Sequence, residues 1–238
     1  MEKDKKVKLF IGIFYIILIS MFLYFIFSNV SITEITNYDF IKNNNQYFKK
    51  IKQANTFIVT ILFVLFTIVW IVAAGFVLPI ALLSGFLFGK WLGLILLLIG
   101  ITIGSTVLYT FANYFFKDFV KKKFHNRFYK IIQKFQKSEF LYMLLYRLIG
   151  GIPFVISNIL PCLFNVKVRN FFWATAIGLT PQFFLIVSLG SGLEKVIEEN
   201  SSLPSIYEII SSPDIYIPLF GFIIFIIATL IFKKIFYK

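Results

Sequence analysis

The chain has 238 residues, 59% hydrophobic, 20% aromatic and only 15% charged, and its 24 Lys+Arg against 11 Asp+Glu give a formal charge of +13. Soluble domains carry about 25% charged residues, so this composition belongs to the membrane class. The basic residues cluster in short segments between apolar runs, a pattern of cytoplasmic loops facing anionic lipid, which excludes nucleic acid as the expected partner. With one cysteine, Cys162, and one histidine, His125, no internal disulfide or Cys-based metal set is available. No Ser-His-Asp set, paired carboxylates, HExxH or Gly-rich nucleotide loop stands out, so no enzymatic activity, cofactor or metal is expected.

The first apolar run, Leu9 to Ser28, holds twenty residues without a charge behind "MEKDKKVK". That length crosses a core of about 30 Å as a helix. It lacks a good small-x-small cleavage site, so residues 1–30 read as a basic tip and an uncleaved anchor. Residues 31–55 are polar. Thr56 to Trp91 carries one charge, Lys90, in 36 residues and is interrupted at "AAGFVLPIALLSGFLFG". Residues 92–116 form a second apolar run, and 117–138 a basic loop with eight Lys/Arg and one Asp. The next stretch, "YRLIGGIPFVISNILPC", sets an arginine at the head of an apolar segment broken by two glycines and two prolines. Residues 170–190 form another span, 193–214 an acidic loop, and 215–238 a last span with the tail "KKIFYK".

Charge decides between topologies. If every apolar run crossed once, the loop with eight basic residues would lie outside, against the positive-inside bias. The conflict disappears if residues 56–91 form a hairpin that enters from outside, breaks at Pro79 and returns. Residues 92–116 then cross inward, 139–166 form a hairpin entering from inside, and 170–190 cross outward. Fifteen of the 24 Lys/Arg, and both termini, then face the cytoplasm. The expected fold is an all-α polytopic membrane protein: an inverted repeat of two re-entrant hairpins, each followed by a span, flanked by terminal helices. A 74-residue shift supports the repeat by pairing Pro79 with Pro153, Ser84 with Asn158, Gly104 with Gly178 and Thr106 with Thr180. Inverted repeats with broken helices recur in transporters; an ordinary bundle of proline-kinked helices is the alternative.

Non-helical backbone in a bilayer is tolerated where protein or a water-filled cavity surrounds it. Pro153 and Pro161 each remove a donor, and Gly150 and Gly151 permit unusual backbone. These groups, with Asn158, are expected to line a polar cavity. Arg147 would bring it a permanent cation suited to phosphate, unless it snorkels to headgroups at the inner interface. The glycines of "GFLFGKWLGLILLLIGITIG" read as close-packing positions. No Asp or Glu occurs between Glu139 and Glu194, which argues against a carboxylate proton relay. Lys121–Lys123, interleaved with aromatics, would face anionic inner-leaflet lipid.

Two stretches resemble a known family. "LPIALLSGFLFGKWLGLILLLIGITIGS" carries Pro79, Gly85, Gly89, Gly93, Gly100 and Gly104. "RLIGGIPFVISNILPCLFNVKVRNFFWATAIGLTPQFFLIVSLGS" carries Arg147, Pro153, Asn158, Phe171, Gly178, Pro181 and Gly190. They are similar to the DedA-like superfamily with the VTT domain, specifically its SNARE-associated Golgi protein branch, over Gly75 to Gly192. Gly150 stands where a proline is expected and Cys162 where a glycine is usual. The acidic residues of the bacterial DedA branch have no counterpart. The resemblance implies two opposed re-entrant hairpins and the movement of lipids between leaflets, phospholipids or undecaprenyl phosphate among them.

The expected function is therefore lipid translocation in the cell membrane. Arg147, Asn158, Pro153 and Gly151 would contact a phosphate headgroup. Pro79, Gly85, Gly89, Gly104, Gly178 and Pro181 would shape the hairpins. A small-solute or ion transporter using the same cavity, or a scaffold binding partners through the basic loop, are the alternatives.

Overall fold

The computed structural model describes the backbone of residues 38–73, 75–199 and 204–236, with isolated helical positions between 12 and 28. Side chains are described from residue 55, except for most positions between 116 and 136, residue 206, and those after 231. The anchor expected at 1–30 otherwise lies outside the described residues, as do the side chains of 31–54. The chain clusters into two compact units, Met1–Phe48 and Lys49–Lys238, and the features below belong to the second, apart from the start of the first long helix at Tyr38. Among the described residues every regular element is helical. Three helices are long and apolar enough to cross a membrane, or four if one bent pair counts as a span.

Long apolar helices follow from the composition, because a chain without water must satisfy its backbone internally. Helix α1 (Tyr38–Val72) is kinked at Asn55 (φ −156°, ψ 64°), and Asn55–Val72 is its apolar part. The helix stops at Val72, and the break before Val77 is pinned where the Trp70 indole N–H donates to the Phe76 carbonyl at 2.8 Å. Helix α2 (Val77–Lys137) begins there and is interrupted at Gly89 (φ 73°, ψ 175°), a conformation essentially confined to glycine. Around Gly89 the chain doubles back. The Ser84 hydroxyl donates to the Gly93 carbonyl at 2.6 Å, whereas nine residues of straight helix would hold them about 13 Å apart.

The arm before Gly89 lies back along α1, with the Phe63 and Phe88 rings 5.0 Å apart. After Gly89 the chain runs beside α1 in α1's own direction, with Gly100 against Thr67 and Gly104 against Ile71. Pro79 therefore does not make the break expected of it. It is the third residue of α2, where an amide has no intrahelical acceptor and its missing N–H costs nothing. The expected basic loop at 117–138 is helical as well. Helix α2 continues to Lys137, its end held by Ile132 and Phe135 in a cluster with Tyr109, Met143 and Phe164.

The second broken segment also doubles back. Helix α3 (Glu139–Ile149) ends at Gly150, residues 150–153 are non-helical, and α4 (Phe154–Ile159) leads into a 3₁₀ turn, Leu160–Leu163. The following residues come back to the start of α3, where Glu139 Oε2 accepts the Lys167 N–H at 3.1 Å and Asn170 Nδ2 at 2.7 Å. Helices α5 (Val168–Gly178) and α6 (Thr180–Glu199) replace the straight span expected at 170–190 and are bent by 45° at Leu179. Because α6 runs to Glu199, the acidic segment 193–214 begins as helix. It then holds α7 (Ile206–Ser211) before α8 (Pro213–Phe236).

The return arms start at Val77 and Phe154, 77 residues apart. The 74-residue pairing of Pro79 with Pro153 does not hold in space, since Pro153 precedes its arm and Pro79 lies inside. Gly104 packs on Ile71 of α1 and Gly178 on Arg147 of α3, each on the helix that precedes a break. Helices α2 and α6 cross at backbone contact. A Cβ on Gly85 would strike the Val187 carbonyl, and one on Gly190 the Leu82 carbonyl.

Candidate functional site

The two breaks meet at one cavity of about 290 Å³. The first contributes Phe76, Val77 and Leu78, the second Gly150, Gly151 and Ile152, and the bend between α5 and α6 contributes Leu179, Gln182 and Phe183. Arg147 and Ser157 supply polar wall, and Phe154 and Phe222 apolar wall. Gly150 (φ 59°) and Gly151 (φ 78°) turn the chain out of α3 in conformations that a side chain would strain. Arg147 sits in the last turn of α3, the end at which a helix favours a cation.

Arg147 is 2% exposed. Its Nε donates to Thr175 Oγ1 at 3.0 Å, its Nη1 to Ser157 Oγ at 3.0 Å and its Nη2 to Asn158 Oδ1 at 2.6 Å. The guanidinium carbon also lies 4.9 Å from the Phe171 ring centroid, within cation–π range. All three acceptors are neutral. Burying a cation without a counter-ion is costly, and hydrogen bonds and a ring face offset that cost without cancelling the charge. Three of the five guanidinium N–H donors are engaged in this way. Gly178 makes the arrangement possible, because a Cβ there would sit 2.6 Å from Arg147 Cβ.

Of the residues expected to contact a headgroup, Arg147 and Gly151 line the cavity. Asn158 is fully buried behind Arg147, with its Nδ2 unpartnered among the described residues. Pro153 is exposed, caps α4, and is not among the lining residues. Among the hairpin-shaping set, Gly89 makes the reversal, Gly85 the crossing with α6, and Gly104 and Gly178 the contacts with the helices that precede the breaks. Pro79 and Pro181 stand in the first turns of α2 and α6. Near the basic segment, Lys122 is exposed, and the Lys121 and Lys123 side chains lie outside the described residues.

Three polar residues at the site, Ser157, Thr175 and Gln182, were not singled out from sequence. Gln182 carried a detectable signal as the one amide in the apolar run Phe171–Leu189, beside Pro181. Thr175 carried none, since threonine is unremarkable within a helix and reaches Arg147 only through the fold.

Comparisons with known proteins identify the family. The VTT domain model matches residues 76–192, from the first break to the middle of α6. The protein named Transmembrane protein 41 homolog from Caenorhabditis elegans is 29% identical over 136 residues, covering 54% of this chain and 55% of the relative. The chain thus spans about half of that relative's length. The Bacillus subtilis (strain 168) protein named Uncharacterized protein YqeD is 31% identical over 180 residues, covering 72% of this chain and 78% of the relative. No solved structure matches. The apolar helices and this kinship make the molecule a multi-pass membrane protein, and the chain belongs to the DedA-like superfamily of VTT-domain proteins.

Proposed function

We propose that the protein moves lipids with phosphate headgroups between the leaflets of the plasma membrane, as a scramblase- or flippase-like translocator without covalent chemistry. One observation carries the reading. Arg147 is a buried cation held entirely by neutral oxygens, at a cavity bordered by both chain breaks. A phosphate supplies the missing charge and accepts from a guanidinium edge. Ser157 and Gln182 offer further polar contact, while Phe76, Phe154, Phe183 and Phe222 suit acyl or prenyl tails.

In this reading the doubled-back segments are opposed re-entrant hairpins of an inverted repeat, and both termini are cytoplasmic. Helix α3 has 11 residues, so its break lies about 16 Å in, roughly half of a 30 Å hydrocarbon core. Lys121–Lys123 would rest on anionic inner-leaflet lipid. No carboxylate separates Glu139 from Glu194 in the sequence, and Glu139 itself is bound to Lys167 and Asn170. Movement without proton coupling follows from that reading.

The test is reconstitution in liposomes with trace fluorescent lipids, a polyprenyl phosphate among them, reading outer-leaflet accessibility with and without a pH gradient. The expected result is protein-dependent exchange that needs no gradient and is lost in Arg147→Gln. Full exchange by a folded Arg147→Gln protein would overturn the reading. Solute uptake indifferent to lipid identity would favour a small-solute carrier using the same cavity.

A further inference from the structure

A second cavity, of about 320 Å³, lies where Lys90 meets the α6–α8 pair. Its polar lining is Lys90, Ser188, Ser191, Lys195 and Asp214. It is distinct from the Arg147 cavity. The two cavities share no lining residue, although Phe184, Leu185 and Gly221 of the second are chain neighbours of Phe183, Ile186 and Phe222 of the first.

The fold brings these groups together for identifiable reasons. Lys90 is delivered by the reversal at Gly89, and its neighbour Trp91 packs on Phe184 with ring centroids 5.3 Å apart. Helix α8 runs back along α6, with Gly192 against Asp214 and Gly221 against Leu185. Lys195 Nζ donates to Asp214 Oδ1 at 2.7 Å, with both side chains partly exposed. Lys90 has no hydrogen bond or ion pair among the described residues and is exposed. The lining itself holds two cations and one anion, and Glu194 and Glu199 also lie close enough to act on Lys195. The Ser188 hydroxyl hydrogen is spent on the Phe184 carbonyl at 2.7 Å, and Ser191, 9% exposed, adds a second hydroxyl to the wall.

We propose that this cavity is a second anion site, which takes a phosphate monoester between Lys90 and Lys195. Asp214 acts as an internal competitor. It occupies Lys195 when the site is empty and yields it when phosphate arrives. Ser191 donates to a phosphate oxygen, and Lys90 supplies the charge that no protein group balances. The same chemistry is offered by a lipid headgroup and by a soluble phosphate ester. The inference stands whether or not Arg147 handles a lipid.

The competitor makes the test sharp, because it predicts substitutions of opposite sign. The full chain in detergent micelles, carrying Arg147→Gln so that the first cavity is silenced, is titrated with lysophosphatidic acid and with inorganic phosphate. Native mass spectrometry gives stoichiometry and affinity. One equivalent is expected to bind. Lys90→Gln should weaken it about tenfold, as loss of one charge-assisted contact implies. Asp214→Asn should tighten it several-fold, and breaking an exposed ion pair leaves folding intact, which the melting temperature checks. Binding of lysophosphatidic acid alone assigns the site to a lipid headgroup, and equal binding of inorganic phosphate assigns it to a soluble anion; both uphold it. No bound equivalent, an unchanged affinity in Lys90→Gln, or weaker binding in Asp214→Asn would overturn it.

Discussion

Asn158 Oδ1 accepts a 2.6 Å hydrogen bond from Arg147 Nη2, so an amide stands where a carboxylate would neutralise the guanidinium. Asn158→Asp tests what that choice does. The substitution is nearly isosteric and should create a buried ion pair, so the fold is retained. Phosphate-lipid exchange should nevertheless fall by about tenfold or more, because the cation is already satisfied. A melting curve and a liposome exchange assay on the same preparation check both halves. Undiminished exchange by the Asp variant would refute a phosphate-seeking role for Arg147.

Arg147→Lys keeps the charge and loses the fork. A lysine ammonium is a point donor and does not reproduce the in-plane bonds to Thr175, Ser157 and Asn158. Buried polar groups left without partners cost about 1–3 kcal/mol each. We expect a lower melting temperature and weaker exchange, with Arg147→Lys outperforming Arg147→Gln. Equal activity of the two variants would remove charge from the explanation.

Gly89→Ala isolates a purely conformational cost. No atom lies within 4 Å of where its Cβ would be, yet φ is +73°. The expected destabilisation is about 1–3 kcal/mol, measured by thermal unfolding in detergent. Gly85→Val fails for the other reason, since it drives a side chain into the Val187 carbonyl and parts α2 from α6. Loss of folded yield is expected there, and normal yield would mean that the two helices do not cross at contact.

Acid should loosen α7 locally. Ser205 N–H and Oγ donate to Glu208 Oε2 at 2.6 and 3.0 Å, and the Glu208 N–H returns a bond to Ser205 Oγ at 3.3 Å. These bonds hold the Glu208 carboxyl below its ordinary value of 4.5. A depressed folded value means the stabilisation is present above the unfolded value and is lost as pH falls through the folded one. Protection factors of the α7 amides, taken against the intrinsic exchange rate at each pH, should therefore fall on acidification below about pH 4.5, and Glu208→Gln should flatten that dependence.

Arg147 was legible in the sequence because a cation inside an apolar run is costly, and the breaks at 150–153 because glycine and proline act locally. The position of the first break was less legible. Pro79 is a stronger signal than Gly89 in one dimension, but a proline in a first turn is harmless and a glycine at φ +73° reverses the chain. The helical state of residues 117–137 was hidden because it depends on Phe135 stacking on Phe164 at 4.1 Å, a contact across 29 residues. Ser157, Thr175 and Gln182 escaped notice because neutral side chains become a binding shell only when three separate helices converge.

In the proposed topology, an uncompensated guanidinium partway through a bilayer would also sit in the transmembrane voltage. One elementary charge across 100 mV is worth about 2.3 kcal/mol. A phosphate monoanion seated on Arg147 would make a neutral pair on which the field exerts no net force, while the empty site stays charged. The potential would then act on the return of the empty, charged site and leave the loaded step alone, and because each cycle still carries the charge of an anionic lipid across the field, polarising a vesicle would bias its leaflet distribution through that return step.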